Sequence, residues 1–168
     1  LAASADVNKP DVSGLTPVFE ASRAGHAAIV SALLRSGASV NSVDSQGVTL
    51  VHIAAKEMHT AVVKVLSTAA ADLNQSDHVG YTPVLSAAAH HVTDEMARLL
   101  VECQADPCQR SHEGATAICL ATKWGVHTVA EMLWNAPKRM LSLDQQSASV
   151  LLRGAFGQNL LYLAMEQR

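Results

Sequence analysis

The chain has 168 residues, a formal charge of −3, and a composition that is 49% hydrophobic and 16% charged. That apolar share supports a continuous core and excludes a disordered chain, while the weak negative charge excludes the basic balance that a phosphate backbone demands. No apolar run has the length of a membrane-spanning helix, and Leu1 to Asn8 lack the basic and apolar regions of a signal peptide.

In chain order, the first recognisable element is Ala5-Asp6-Val7-Asn8, which returns as Ala38-Ser39-Val40-Asn41, Ala71-Asp72-Leu73-Asn74 and Ala105-Asp106-Pro107-Cys108. A second motif keeps step with it. Asp11 to Val18 contains Gly14, Thr16 and Pro17, and its counterparts contain Gly47 and Thr49, then Gly80, Thr82 and Pro83, then Gly114 and Thr116. The first three of these glycines are 33 residues apart and the fourth copy comes one residue late. Self-similarity at this period is the signature of a stacked repeat. The turn glycine supplies a positive φ without a Cβ clash, Thr16 is placed to cap a helix, and Pro17 sits where its missing N–H costs nothing. A short helix built on Ala21, Ala54, Ala55, Ala87, Ala88 and Ala121 follows in successive copies. Gly25 ends the first helix, and the second carries Ile29, Val30, Leu33 and Leu34 on one stripe until Gly37, matched later by Val62, Val63 and Leu66.

Residues Gly14 to Pro17, Ala21, Gly25-His26, Leu33-Leu34 and Gly37-Ala38 together resemble the ankyrin repeat, and the resemblance covers nearly the whole chain. It implies an all-α solenoid of stacked helix-turn-helix units with short β-hairpin-like loops. The expected organisation is one array over 1–168. Residues 1–10 are the tail of a preceding repeat, 11–43, 44–76, 77–110 and 111–153 are repeats, and 154–168 start a fifth. Both ends therefore fall inside repeats, and the chain is expected to be an excerpt of a longer protein. Leu160, Leu161 and Leu163 lack the polar face of a terminal repeat.

Departures from the repeat are where specificity is expected. The second copy has Leu50 for proline and Met58 for the first-helix glycine, both expected to cost local stability. The third carries an extra residue between its helices, with Thr93 placed to cap the second one and Asp94 and Glu95 suited to its dipole. The fourth has Ala117 for proline and Cys119 at the histidine position. Its 137–153 segment is an insertion in which Ser142 to Arg153 forms an additional helix.

The residues offer little chemistry. By resemblance, His26 and His52 take positions where histidine hydrogen-bonds within or between repeats, and adjacent His90 and His91 do not share a helix face. Cys103, Cys108, Cys119 and His112 have the right atoms for zinc but no finger spacing. Three cysteines make no disulfide framework and point to a reducing intracellular setting, taken as cytoplasmic. No phosphate loop, dinucleotide motif or nucleophile elbow is present, so no enzyme, cofactor or metal is expected.

The resemblance implies a concave groove for a protein or peptide, lined by the variable turn residues and the exposed side of the first helices. Mapped onto this chain, those positions are Leu15, Arg23 and Ala24; Gln46, Val48, Lys56 and Glu57; His78, Val79, Tyr81 and His90; and His112, Glu113, Lys123 and Trp124. Trp124 and Tyr81 are read either as interface anchors or as packing residues, and Trp134 as core. Nothing demands an oligomer, and a monomer is expected. The rival readings are a structural spacer or intramolecular docking domain, and a nucleotide or small-molecule site at Lys123 and Trp124. The resemblance also places Asn41 and Asn74 at the loop position that asparagine hydroxylases modify in some ankyrin repeats.

Overall fold

The computed structural model describes residues 6–89, 94–117, 120 and 121. Within them the chain forms three pairs of short helices: α1 (Pro17–Arg23) with α2 (Ala27–Arg35), α3 (Leu50–Lys56) with α4 (Thr60–Thr68), and α5 (Pro83–Ala89) with α6 (Asp94–Glu102). Ala117, Leu120 and Ala121 are helical again. The fold is an all-α repeat. No strand occurs among the described residues, and the hairpin-like loops contribute one isolated antiparallel bridge, Val43 with Thr49. Each turn is only five residues across and is closed by its own hydrogen bonds, as Asp44 N–H to Val48 O at 3.1 Å and Gly47 N–H to Asp44 O at 3.1 Å. That leaves no length for a ladder.

First helices begin at Pro17, Leu50 and Pro83, and second helices at Ala27, Thr60 and Asp94. The extra residue of the third unit thus falls between α5 and α6, where it shifts a connection and leaves both helices intact. The first helices form one row, with α3 packed between α1 and α5, and the second helices form another, with α4 packed between α2 and α6. Alanines make the close approach possible: Ala21, Ala54, Ala55, Ala87, Ala88 and Ala121 are all buried. Between the rows lies one continuous core in which Val30, Leu50, Val62, Val63, Leu66, Leu85, Met96 and Leu100 are completely buried. Leu50 stands where the first and third units have a helix-opening proline, and it is completely buried.

Two expectations fail. Ile29, placed on the buried stripe of α2, is 49% exposed, whereas its counterpart Val62 is fully buried. The described residues put α4 on one flank of α2 and no helix on the other. Thr16 makes no side-chain cap, and its buried hydroxyl has no hydrogen-bond partner. The caps of Thr49 and Thr82 do form, accepting from His52 N–H at 3.3 Å and Leu85 N–H at 3.4 Å.

Met58 adopts the strained conformation its position predicts, with φ +63°. Ala70 at φ +59° and Gln104 at φ +76° do the same at the positions equivalent to Gly37. Left-handed backbone costs an L-residue about 1–2 kcal/mol, and glycine returns roughly half of that through its freer unfolded state. Ala70→Gly is therefore expected to stabilise the array by about 0.5 kcal/mol, seen as a higher urea midpoint with an unchanged slope.

Candidate functional site

The turns that head each unit share one internal wiring. The Asp11 carboxylate accepts from the backbone N–H of Ser13 at 2.8 Å and Leu15 at 3.0 Å. Asp44 does so for Gln46 and Val48 at 2.8 and 2.9 Å, and Asp77 for Val79 and Tyr81 at 3.0 and 2.8 Å. In the fourth turn Ser111 takes the position and its hydroxyl accepts from Ala115 N–H at 3.2 Å. A short side-chain oxygen reaching its own backbone fixes the turn and leaves the residues at its tip free to vary. The repeated aspartates at 11, 44 and 77 carried this signal in the sequence, and the role follows only once the turn geometry is known.

Consecutive turns also hold one another. His78 N–H donates to Gln46 O at 2.9 Å. The His78 ring lies over Gly47, where an added Cβ would be 2.7 Å from it, and His112 lies over Gly80 in the same way, at 2.5 Å. The second, third and fourth turns thus form one ridge. At the helix ends His59 plays the equivalent part, its Nε2–H donating to Arg23 O at 3.0 Å. His26, its counterpart in the first unit, is exposed and makes no side-chain hydrogen bond among the described residues, contrary to the role its position suggests. The loops on the other side of the array are stapled by asparagine. Asn8 accepts from Ser39 N–H at 2.8 Å, Asn41 from Asp72 N–H at 3.0 Å, and Asn74 from Asp106 N–H at 2.6 Å.

His52 ties the ridge to the core. Its Nε2–H donates to Tyr81 O at 2.8 Å, which leaves Nδ1 as the acceptor for Thr49 N–H at 3.2 Å and the Thr49 hydroxyl at 2.9 Å. This arrangement needs the neutral ring. Burial pushes the His52 pKa below the ordinary 6.5, against the opposing pull of the Tyr81 carbonyl and of Asp77 and Asp44. Above the ordinary value neither folded nor unfolded chain is protonated at this residue. As the pH falls below 6.5 the unfolded chain takes the proton first, so stability is lost until the folded-state value is reached. Urea midpoints measured from pH 7.5 downward are expected to show an acid-side fall that is smaller in His52→Gln.

Of the residues expected in the groove, Gln46, His78, Val79, His112 and Glu113 are exposed on the ridge, and Arg23, Lys56 and Glu57 are exposed at the ends of α1 and α3. Arg23 pairs with Glu20 at 2.6 Å. Ala24 is exposed at the same level as Arg23, and Leu15 is half-buried. Val48 is half-buried too, and Tyr81 is half-buried with its ring packed against the core. His90, Lys123 and Trp124 lie outside the described residues, as do Thr93, Cys119, Trp134, the 137–153 segment and the leucines at 160, 161 and 163. The nucleotide reading rested on two of these. Among the described residues no three His, Cys, Asp or Glu side chains gather as a metal site would require. No helix among them is long and apolar enough to cross a membrane.

Helix pairs repeated in register, each unit held by its neighbours and its variable residues displayed on a ridge, define a repeat solenoid, a class whose working surface is spread over successive units. Residues 1–77 match the family model for ankyrin repeats (3 copies), and this match supports placing the array in the ankyrin-repeat family. No curated protein matches it. Ankyrin repeats are generally protein–protein interaction modules and generally not enzymes.

Proposed function

We propose that the array binds a protein or peptide segment along the turn ridge and the adjoining ends of the first helices. The observation that carries this reading is the contrast between a rigid turn backbone and the free side chains at its tips. Asp11, Asp44 and Asp77 fix the backbone. Val79, a large apolar side chain without a core role, stands 61% exposed on the ridge between His78 and Gly80. A surface already ordered before binding loses little entropy when a partner docks. Lys56, Glu57 and Arg23 give a rim of both signs, and the exposed part of the half-buried Tyr81 adds aromatic area.

The recognition role needs no catalysis, cofactor or metal. The Cys108 thiol fits this, since burial and then the Asp106 carboxylate push its pKa up to about 11, away from thiolate chemistry. The sparse cysteines go with an intracellular, cytoplasmic setting, and the array acts as a monomer.

The test compares wild-type chain with Val79→Asp/Lys56→Glu and with Ala61→Glu on the outer face, each immobilised at equal density and shown to be folded. A partner retained by wild type and Ala61→Glu should bind the ridge variant with an affinity lower by more than ~1 kcal/mol. Equal retention by all three would move the binding surface elsewhere.

A further inference from the structure

The outer row of helices carries a feature that ridge recognition leaves unused. Between α2 and α4 an open cleft of about 430 Å³ is lined by Ser31, Leu34 and Arg35 from one helix and Lys64, Val65 and Thr68 from the other. Leu34 and Val65 are half-buried and form an apolar floor. Each wall contributes one cation. Arg35 is the only charged residue of α2 and Lys64 the only one of α4, and no carboxylate lines the cleft. Both side chains are exposed and neither makes an ion pair among the described residues, unlike Arg23, which has Glu20. The Thr68 hydroxyl is engaged with Lys64 O at 2.8 Å, while that of Ser31 makes no hydrogen bond among the described residues. The next outer helix reverses the balance, with Asp94, Glu95 and Glu102 against Arg98.

We propose that the α2–α4 cleft is a second recognition surface, for an acidic peptide segment in which an apolar side chain is flanked by carboxylates. The floor takes the apolar side chain, as a shallow open groove can, and the two walls meet its flanking carboxylates. Unpaired cations on both sides of an apolar strip, with no carboxylate in its lining, disfavour a basic or neutral occupant and attract an acidic one. This surface belongs to the second helices, whereas the proposed ridge belongs to the turns and first helices, so one array can hold two partners at once.

The experiment uses the full 168-residue chain and three labelled peptides about twelve residues long, the span of a modest groove. One alternates Glu with Leu, one Glu with Ser, and one Lys with Leu. Fluorescence anisotropy is read for wild type, for Arg35→Glu/Lys64→Glu, and for Val79→Asp. The substituted side chains are exposed, and an unchanged thermal melt verifies folding. The Glu/Leu peptide should bind wild type and Val79→Asp alike and lose at least about tenfold in affinity in the double charge reversal. It should also weaken when salt is raised from about 50 mM to about 0.5 M, which shortens the electrostatic range to a few ångströms. The Glu/Ser and Lys/Leu peptides should bind more weakly. Equal affinity in the double reversal overturns the proposal, as does absence of binding at about 1 mM peptide. Loss in Val79→Asp alone would assign the peptide to the ridge, overturning this site and leaving the ridge reading intact. Self-association of the chain abolished by the double reversal would make a second copy, through Glu95 and Glu102, the occupant in place of a separate peptide.

Discussion

Leu66→Ala is expected to lower the unfolding free energy by about 2–5 kcal/mol, the range for a fully buried leucine that leaves a cavity. Leu66 is completely buried on α4, the helix that packs on both α2 and α6. Its loss therefore removes apolar contact from the middle of the outer row, where neither flank can collapse inward without pulling away from its own partner. A domain of this size has a total stability of only about 5–15 kcal/mol, so the substitution takes a large share of it. Equilibrium urea unfolding followed by far-UV circular dichroism measures the change. A loss under about 1 kcal/mol would mean that the α4 environment relaxes, against the stacked-row architecture.

Gly80→Ala should be nearly as damaging, and Gly14→Ala much less so. The two glycines have almost the same backbone, φ +88° and φ +80°. The intrinsic cost of placing an L-residue there is about 1–2 kcal/mol in both cases. Their surroundings differ. At Gly14 an added Cβ meets nothing within 4 Å, whereas at Gly80 it meets the His112 ring at 2.5 Å and the His112 backbone nitrogen at 2.6 Å. A ring can swing aside, but that nitrogen moves only if the whole fourth turn moves. Gly80→Ala is accordingly expected to cost about 3 kcal/mol or more, adding an overpacking penalty to the backbone one. The comparison of the two variants by urea unfolding isolates the stacking of one turn on the next. Equal losses would show that the turns do not bear on one another.

Much of the architecture was legible in the sequence because its causes are local and recur. Glycine at 14, 47 and 80 and the alanines of the first helices mark the turns and the close helix approach, and the structure bears out the all-α ankyrin solenoid they imply. Failures arose where the outcome depends on a neighbour. Ile29 has the same β-branched apolar character and helical position as Val62, yet only Val62 is covered on both flanks. Thr16 has the same capping signal as Thr49 and Thr82, yet only the hydroxyls of those two accept a backbone N–H. The candidate surface was legible only in part. Variable turn positions follow from the repeat phase. The histidines bridging adjacent turns do not, since His78 and His112 matter through glycines 31 and 32 residues earlier. The outer cleft left no motif at all, being made of one cation from each of two helices.

The asparagine staples give the molecule an internal set of gauges. Asn8, Asn41 and Asn74 each sequester one amide of the following loop, those of Ser39, Asp72 and Asp106. Ser39 and Asp72 lie at the surface, so little besides the asparagine shields their amides from solvent. Deuterium uptake at each of the three reports the opening of one particular junction, and the order in which they exchange gives the direction in which the array unzips. The next position in the series is Cys108, whose thiol offers no amide-type acceptor, so the series of asparagine gauges ends with Asn74.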